Sequence, residues 1–414
     1  MKCRHCGAAL DLTFVDLGSA PPSNAFLTSV AMHRPEKWYP LRVRVCTECW
    51  LVQAEDFADC EELFSAEYAY FSSFSDSWLR HARSYVEAMI ERYELGTESK
   101  VIEVASNDGY LLQYVQERGI SCLGVEPTAG TAAVAREKGI DVVESFFGRI
   151  LATELFAAGY AADLMVANNV LAHVPDINDF VGGFAILLKS NGVATFEFPH
   201  LLRLVESVQF DTIYHEHFSY LSLSAAKGIF ERNGLRIIDV EELSTHGGSL
   251  RIFAQRGDTG SLPVSKRVLE LLTREYSLGM TTAQYYRGFQ SRAENIKNDL
   301  LEFLIEVSRT KKTVAAYGAA AKGNTLLNFA GIRSDLIAFV VDRNPAKQGK
   351  FMPGSRIPIV NEDYLRKERP DVVVVLPWNL SAEITRQLSY VGEWGGELVA
   401  AIPDFHRLTL PSAV

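Results

Sequence analysis

Short apolar runs alternate with helical patterns in two long stretches of the chain. The first stretch contains apolar runs at residues 101–105, 122–125, 164–167 and 193–198. The second contains runs at residues 313–317, 336–341, 372–376 and 398–402. Strands that are apolar on both faces are typical of a parallel sheet that helices cover on each side. The pattern therefore predicts an α/β protein with two doubly wound domains.

Apolar side chains that return every three or four positions predict helices in two further segments. One helix is predicted around the apolar residues Trp78, Ala82, Tyr85, Met89 and Tyr93. The other segment, residues 266–307, lacks strand patterns. We therefore expect one α/β domain over residues 66–260, a helical connection over 261–307, and a second, Rossmann-like α/β domain over 308–414.

Four of the six cysteines form two C-x-x-C pairs near the N-terminus, Cys3 with Cys6 and Cys46 with Cys49. A two-residue spacer lets both thiolates of a pair face one metal ion, and two pairs complete the tetrahedral shell of a structural zinc ion. The 39 residues between the pairs are more than most zinc ribbons contain. The sequence predicts a zinc-binding module over residues 1–65, and the alternative is four core cysteines with chance spacing.

The composition excludes several classes of protein. The 414 residues are 48% hydrophobic and 22% charged, as in an ordinary globular protein, and the formal net charge is −10. Such a chain has no overall basic face for nucleic acid, and no apolar run reaches the roughly 20 residues of a membrane span. We expect a cytoplasmic monomer with no nucleic-acid or membrane partner, whose cysteines bind metal or pack in the core rather than form disulfides.

The turn after the first predicted strand is a candidate cofactor site. Residues 103–109 read Glu-Val-Ala-Ser-Asn-Asp-Gly, and Glu126 ends the second strand. In doubly wound sheets this crossing faces the ligand, and a carboxylate about 20 residues downstream binds ribose hydroxyls. A turn with one glycine and an added carboxylate suits a pyrophosphate poorly, so a cofactor without phosphates is favoured over NAD. A turn that binds no ligand is the alternative.

Polar residues also follow the later strands. Asn168, Asn169 and His173 come after one strand, and Tyr214, His215, Glu216 and His217 form a cluster further on. Histidine is a suitable base near neutral pH, and a neighbouring carboxylate such as Glu216 can orient it or raise its basicity. The alternatives are hydrogen-bonded histidines in a polar loop and a second metal site, for which no third ligand is evident.

Two glycine-containing segments are candidates for ligand contact. Residues 244–251 contain His246, Gly247 and Arg251, whose guanidinium is of the type that binds phosphate. Residues 318–325 are similar to a P-loop, but Lys322 precedes the second glycine rather than following it, which argues against ATP hydrolysis. Lys322 is expected to contact a nucleotide diphosphate or to begin a solvated helix. Trp378 and Asn379 follow a strand, where loops face a ligand, and Trp378 can equally pack at an interface.

In this order the motifs resemble the three-domain sugar C-methyltransferases. The motifs are C-x-x-C twice, E-V-A-S-N-D-G, G-V-E-P, N-N-V-L-A-H-V-P, Y-H-E-H-F-S-Y, H-G-G-S-L-R and G-A-A-A-K-G-N-T, and they cover essentially the whole chain. The resemblance implies a zinc-binding domain, an S-adenosylmethionine domain and a C-terminal α/β domain. It also implies methylation of C3 in a nucleotide-linked 4-keto-deoxyhexose.

The resemblance assigns roles to individual residues. His217 is implied as the base, surrounded by Tyr214, Glu216 and His173, with a tyrosine from residues 68–73, for which we favour Tyr70, also reaching the site. Expected cofactor contacts are Glu103, Ala105, Asn107, Gly109, Glu126, Asn168 and Asn169. Expected substrate contacts are His215, His246, Gly247, Arg251, Lys322, Trp378 and Asn379.

The implied chemistry agrees with these residue types. A ketone at C4 acidifies the C3 hydrogen because the carbanion is delocalised as an enolate, so the reaction needs a base and a donor near the ketone oxygen. Two other functions stay open at this point. One is methylation of an oxygen or nitrogen in another small molecule, and the other is a non-catalytic zinc-containing binding protein.

Overall fold

The computed structural model describes residues 1–57 and 71–410. In chain order, its strands are β1 (Leu12–Ala20), β2 (Tyr39–Val45), β3 (Val52–Ala54), β4 (Lys100–Val104), β5 (Ser121–Val125), β6 (Val142–Val143), β7 (Ala162–Asn168), β8 (Leu188–Pro199), β9 (Ser219–Tyr220), β10 (Leu235–Leu243), β11 (Ser249–Arg256), β12 (Val314–Tyr317), β13 (Val340–Val341), β14 (Ile359–Val360), β15 (Val372–Val375), β16 (Glu397–Ala400) and β17 (His406–Leu408).

The α-helices within residues 1–57 and 71–410 flank and connect the sheets. They are α1 (Asp76–Tyr93), α2 (Leu112–Gln116), α3 (Ala129–Glu137), α4 (Arg149–Ala157), α5 (Ile177–Leu187), α6 (Leu201–Glu206), α7 (Leu223–Arg232), α8 (Lys266–Ser277), α9 (Ala283–Tyr286), α10 (Phe289–Arg309), α11 (Ala321–Phe329), α12 (Glu362–Glu368) and α13 (Ser381–Gln387). Across these described residues, none of the helices combines the length and the apolar character that a membrane crossing requires.

The N-terminal sheet is antiparallel, with strand order β1-β2-β3-β9. In β2 the buried residues Leu41, Val43 and Val45 alternate with Arg42 and Arg44, as expected of a strand with one solvated face. The last strand of this sheet, β9, comes from the segment that directly follows His217. The cysteine-rich module therefore shares a sheet with the predicted catalytic segment, residues 214–217, which we call the catalytic loop.

The central sheet has seven strands in the order β10-β11-β8-β7-β4-β5-β6. Strands β6, β5, β4, β7 and β8 are parallel, and β11 lies antiparallel between β8 and β10. The four apolar runs predicted in this region are confirmed as β4, β5, β7 and β8. Because the strands are parallel, their carboxyl ends meet at one edge, where the turn after β4 and the segment after β7 lie together.

Helix α1 covers one face of the central sheet, as the periodicity predicts. Its first turn is capped by Ser75, whose hydroxyl accepts a hydrogen bond from the Trp78 amide at 3.3 Å. Its buried stripe includes Tyr85, whose hydroxyl lies 2.6 Å from the Thr195 hydroxyl in β8. Helix and sheet are thus joined by a polar contact as well as by apolar packing.

The segment predicted as helical contains α8, α9 and α10. Helix α10 packs against the N-terminal sheet, since the ring of Phe289 stacks on that of Phe14 with centroids 4.2 Å apart. Next to it, the Gln290 side chain accepts a hydrogen bond from the Asp16 amide at 2.7 Å. The connection therefore supports the zinc-binding module as well as joining the two larger sheets.

The C-terminal sheet has the order β14-β13-β12-β15-β16-β17, and only β17 is antiparallel to its neighbour. The strand predicted over residues 336–341 is wrong for its first four residues, because β13 contains only Val340 and Val341. The amides of Leu336 and Ile337 both donate to the Arg333 carbonyl. Those residues form a turn, and their apolar side chains fill the core from a loop.

Residues 21–38, which we call the strap, explain the long interval between the cysteine pairs. The strap leaves β1 and crosses to the C-terminal part of the chain, where Leu27 pairs with Phe351. Further along, the Glu36 carboxylate accepts a hydrogen bond from the Gly354 amide at 2.5 Å and lies 3.4 Å from the Arg356 guanidinium. The strap therefore contacts the loop between β13 and β14, at one edge of the C-terminal sheet.

Candidate active site

The four predicted zinc ligands converge. The sulfur atoms of Cys3, Cys6, Cys46 and Cys49 all lie within 4.8 Å of one another. The Cys3–Cys49 and Cys6–Cys46 sulfur pairs are 3.5 Å apart. A tetrahedral zinc ion with Zn–S bonds of about 2.3 Å separates its sulfurs by about 3.8 Å, so the donor set fits zinc. Four thiolates fill the tetrahedron, which makes this a structural site without an open position.

The turn after β4 has the backbone shape of a ligand cradle. Ala105, Asn107 and Gly109 have positive φ values of 58°, 50° and 74°. At Gly109 a Cβ atom would lie 2.4 Å from the Cδ1 atom of Ile140, and the backbone has a φ of +74°, so this position favours glycine. The Ala105 amide donates to the Val125 carbonyl at 2.8 Å, which joins the turn to the end of β5.

Glu126 lies where the ribose of a nucleoside is expected. Its carboxylate accepts hydrogen bonds from the amides of Asn107, at 3.0 Å, and Thr128, at 2.9 Å. A carboxylate has about four acceptor positions, so two remain for ribose hydroxyls. The buried oxygens Ser106 Oγ, Asp108 Oδ1, Asn168 Oδ1 and Asn169 Oδ1 have no hydrogen-bond partner in the described chain. Unmatched polar atoms around one turn are what a polar ligand would satisfy.

Glu103 lies beneath this turn and is fully buried. Burial raises the pKa of its carboxyl group well above the usual range. Burial likewise raises the pKa of the Tyr110 phenol. Both carboxyl oxygens of Glu103 are buried without a hydrogen-bond partner among the described residues, so Glu103 adds to the unmatched polar atoms at this turn. Its direct contact with the cofactor stays a prediction, as do the other predicted cofactor contacts.

The segment before α1 lies against the same turn. The Ser72 amide donates to Asn107 Oδ1 at 2.9 Å, and the Ser73 amide donates to Asp108 Oδ2 at 3.2 Å. The Lys138 ammonium joins them, donating to the Ser73 hydroxyl at 3.0 Å. Tyr70, the tyrosine expected to reach the active site, lies outside the described residues.

His217 has the geometry of a general base. Its Nδ1 atom lies 2.8 Å from the Thr212 carbonyl oxygen. Because a carbonyl only accepts hydrogen bonds, Nδ1 carries the proton and Nε2 of the neutral ring carries the lone pair. Burial, followed by the neighbouring His173, lowers the pKa of His217 well below 6.5. The imidazole is therefore neutral and able to accept a proton at neutral pH.

Two of the side chains expected around His217 are in ring contact with it. The centroid of the Tyr214 ring lies 4.0 Å from that of His217, and the centroid of His173 lies 4.6 Å away. His173 hydrogen-bonds to the Glu216 backbone, and burial lowers its pKa to about 4. The structure thus groups two neutral imidazoles and a phenol.

Glu216 and His215 both contact the first 57 residues, and the substrate contact expected of His215 stays a prediction. Glu216 does not orient His217, because the Thr212 carbonyl does so. The Glu216 carboxylate instead accepts a hydrogen bond from the Asn24 side chain of the strap at 3.2 Å, and burial raises its pKa to about 7. His215 is placed against the N-terminal sheet, with Nε2 3.3 Å from the Tyr39 carbonyl oxygen. Both side chains hold the catalytic loop against the first 57 residues.

His246 joins the cofactor side of the site to the C-terminal sheet. Its Nε2 atom lies 3.1 Å from Asn169 Nδ2. Because an amide nitrogen only donates, Nε2 is the acceptor and the neutral ring carries its proton on Nδ1. Burial, followed by the positive charge of Lys322, lowers the pKa of His246 to about 4. Its ring also lies 5.2 Å from that of Trp78 in α1, measured between centroids.

The expectation that Arg251 binds phosphate is corrected. Its guanidinium is buried and pairs with Glu197 at 2.7 Å and Glu241 at 3.2 Å, while lying over the Tyr85 ring. Burial opposes ionisation of Glu197, but hydrogen bonds from His81 and Arg251 lower its pKa to about 2. Two carboxylates thus neutralise Arg251, which connects β8, β10, β11 and α1.

Residues from the C-terminal sheet complete the site. The Lys322 ammonium donates to Asn379 Oδ1 at 3.1 Å and to the His246 carbonyl at 3.3 Å, and it lies over the Trp378 ring. The Trp378 indole donates to Asp211 Oδ2 at 2.7 Å. The predicted contacts Lys322, Trp378 and Asn379 therefore meet His246 and Gly247 at one junction.

Asp211 and Asn24 are two site residues that the sequence prediction missed. Burial raises the pKa of Asp211 to about 6, and the Lys322 charge opposes that effect. Burial lowers the pKa of Lys322, and the Asp211 charge opposes that effect in turn. Asp211 lies three residues before Tyr214, and this closeness to the predicted cluster was a weak signal that it belongs to the site. No signal marked Asn24, because its partner Glu216 is 192 residues away.

The strand order, the antiparallel β11 and the ligand cradle after β4 define a class I S-adenosylmethionine-dependent methyltransferase. Family profiles match three segments: a zinc binding domain over residues 3–64, a methyltransferase domain over 78–240 and a C-methyltransferase C-terminal domain over 244–403. The chain is 35% identical to the C-methyltransferase NovU of Streptomyces niveus over 403 residues, which are 97% of this chain and 96% of that protein. The chain belongs to the C-methyltransferase family. The predictions of S-adenosylmethionine and structural zinc are confirmed.

Solved methyltransferase structures are similar over part of the chain. Magnesium protoporphyrin IX methyltransferase from Synechocystis is 15% identical and covers 43% of this chain and 79% of its own, with a TM-score of 0.33. A methyltransferase from Clostridium acetobutylicum is 11% identical and covers 43% of this chain and 92% of its own, with a TM-score of 0.35.

Proposed function

We propose that the enzyme methylates C3 of a nucleotide-linked 4-keto-deoxyhexose, with His217 as the base that forms the enolate. The observation that carries this proposal is the hydrogen bond from His217 Nδ1 to the Thr212 carbonyl, which leaves Nε2 as a proton acceptor. Methylation of carbon requires a carbanion equivalent, and a proton next to a ketone is acidic enough for a histidine to remove. C-methylation by the relative NovU supports the same class of reaction.

The enolate oxygen needs a hydrogen-bond donor as negative charge develops on it. The Tyr214 phenol is that donor in our proposal, since its ring lies against the His217 ring. S-adenosylmethionine, when bound, supplies the electrophilic methyl group. The residues that would hold it are those of the cradle, with Glu126 on the ribose and Asn168 and Asn169 at the end of β7. This chain's own residues hold the sugar carbon, remove its proton and stabilise its oxyanion.

The nucleotide end of the substrate lies, in this proposal, at the junction formed by Lys322, Trp378 and Asn379. A buried ammonium group is suited to a diphosphate, because the low local dielectric strengthens the attraction. The Trp378 ring adds an aromatic surface beside that charge. The sugar would then lie between this junction and His217.

Incubation with S-adenosylmethionine and TDP- or GDP-linked 4-keto-deoxyhexoses tests the proposal. Mass spectrometry of the product should show one added methyl group, and NMR should place it on C3. A methyl group on oxygen or nitrogen would reject the proposed function and leave the methyltransferase fold intact. We further propose that the enzyme acts as a cytoplasmic monomer, and sedimentation analysis of the purified protein should give a single species of 46.0 kDa.

A further inference from the structure

Arg4 lies inside the first cysteine pair, between Cys3 and Cys6, and its side chain is 6% exposed. One terminal nitrogen donates to the Pro175 carbonyl at 3.0 Å. The other donates to the Ala54 carbonyl at 3.0 Å and to the Asp56 carboxylate at 2.8 Å. A zinc knuckle on a protein surface does not need such a side chain, so its inward position requires another explanation.

The contacts of Arg4 fall on both segments that carry the grouped imidazoles. Pro175, whose carbonyl it binds, is two residues after His173. The guanidinium carbon lies 5.3 Å from the ring centroid of Phe218, which directly follows His217. The Phe218 amide donates to the Ala172 carbonyl at 2.8 Å, which joins the two segments to each other. Arg4 therefore contacts the backbone or ring of a near neighbour of each histidine.

The zinc ligands are connected to the same contacts. Gln53 accepts a hydrogen bond from the Arg4 amide at 2.9 Å and donates to the Cys3 sulfur at 3.2 Å. Gln53 also pairs with Ser219 in β9, two residues after His217. The conformation of the knuckle, and hence the direction of the Arg4 side chain, depends on the metal that joins the two cysteine pairs.

We propose that Arg4 is a positioning residue through which the zinc site sets the geometry of His173 and His217. This inference rests on the proposed function, in which His217 is the base. A planar guanidinium can bind two carbonyl groups and stack on a ring at once, which a lysine ammonium cannot do. Displacement of a catalytic group by about 1 Å lowers turnover up to about 100-fold.

The test compares Arg4→Gln with Arg44→Gln. Arg44 lies in the same module, and its guanidinium binds Glu55 and Thr13, each at 2.7 Å. Zinc content, affinity for S-adenosylmethionine and kcat are measured for each variant. The histidine side chains are labelled with ¹⁵N, and the ring signals of His173 and His217 are identified from their loss in His173→Gln and His217→Gln.

We expect Arg4→Gln to keep its zinc and its S-adenosylmethionine affinity, to lose about 10-fold to 100-fold in kcat, and to shift the ring signals of His173 and His217. The signals of His81 and His200 should not move, and Arg44→Gln should match the parent. Unchanged His173 and His217 signals in zinc-loaded Arg4→Gln would overturn the proposal.

A second variant keeps the test decisive where Arg4→Gln does not fold. Phe218→Leu removes the ring under the guanidinium without a change in the zinc module, and it should shift the same two histidine signals. Unshifted signals in that variant would also overturn the inference. The NMR measurement does not depend on turnover, so it can be interpreted even if the proposed substrate class is wrong. A failure of the proposed function is therefore detected separately from a failure of the proposed role of Arg4.

Discussion

The Trp378 indole nitrogen lies 2.7 Å from a carboxylate oxygen of Asp211, which is fully buried. Trp378 follows a strand of the C-terminal sheet, and Asp211 precedes the catalytic loop by a few residues. The same ring is in close contact with the backbone of Gly247, where a Cβ atom would lie 2.4 Å from Trp378 Cη2. Trp378 therefore links the C-terminal part of the chain both to the segment before the catalytic loop and to the turn at Gly247.

Substitution of Gly247 by alanine should displace Trp378 and weaken substrate binding. We expect a rise in KM for the sugar nucleotide of about 10-fold or more, because a misplaced contact loses both its hydrogen bond and its packing. Affinity for S-adenosylmethionine should be unchanged. The matched control is Gly159→Ala, since Gly159 has a similar φ of +83° but nothing within 4 Å of a Cβ atom. Equal effects of the two substitutions would contradict the role of the Trp378 contact.

The value of kcat/KM should fall only at low pH. The base must be neutral to accept a proton, and the pKa of His217 is lowered well below 6.5 by burial and by His173. We expect kcat/KM, measured with saturating S-adenosylmethionine, to stay constant between pH 8 and about pH 6.5 and to fall only below that. A limb with its midpoint above 6.5 would argue against His217 as the base.

Ionisation of the buried Glu216 carboxyl group should lower the free energy of unfolding as the pH rises. Its pKa in the folded protein is about 7 against an ordinary 4.5, so the folded state holds this proton more tightly than the unfolded state does. Stability is therefore fully present below about pH 4.5 and is lost as the pH rises through 7. We expect Glu216→Gln to be more stable than the parent by about 3 kcal/mol above pH 7 and by much less at pH 5.

Denaturation midpoints of parent and variant at several pH values measure this difference. The control is Glu98→Gln, because Glu98 is exposed. A stability difference between parent and Glu216→Gln that stays constant from pH 5 to pH 8 would show that the carboxyl group does not titrate as the structure requires.

Loss of one zinc ligand should affect folding before catalysis. Cys3→Ser is expected to lower the zinc content below one ion per chain and to reduce the yield of folded protein, because the small module depends on its metal. Cys122→Ser is the matched control, since Cys122 lies in β5 outside the cluster. Metal analysis of both variants checks this, and an unchanged zinc stoichiometry in Cys3→Ser would reject the four-cysteine site.

Features with a local cause were predictable from the sequence. The zinc cluster follows from two spacings of two residues, and the buried strands of the central sheet follow from continuous apolar runs. The turn after β4 was predictable as a ligand cradle because the edge of a parallel sheet collects the loops that follow its strands. His217 was predicted as the base through the family resemblance, and this role stays a prediction, while its tautomer required the position of the Thr212 carbonyl.

Features with distant partners were not predictable. Asp211 and Trp378 are 167 residues apart, and no periodicity records that they share a hydrogen bond. Arg251 was expected to bind a ligand because arginine binds phosphate, but two carboxylates from other strands neutralise it. The apolar residues 336–339 predicted a strand, yet they form a turn and a loop from which only Ile337 and Phe339 are buried. In each case the deciding partner comes from another part of the chain.

The central claim is that His217 removes a proton from C3 before the methyl group is transferred there. The most direct measurement uses a TDP- or GDP-linked 4-keto-deoxyhexose with deuterium at C3 and follows its release together with methylation. We expect one deuteron to be released per methyl group, and His217→Ala to slow both by about 10²-fold to 10⁴-fold with unchanged affinity for S-adenosylmethionine. Methylated product that retains the C3 deuterium, or an equal loss of cofactor binding in His217→Ala, would contradict the account.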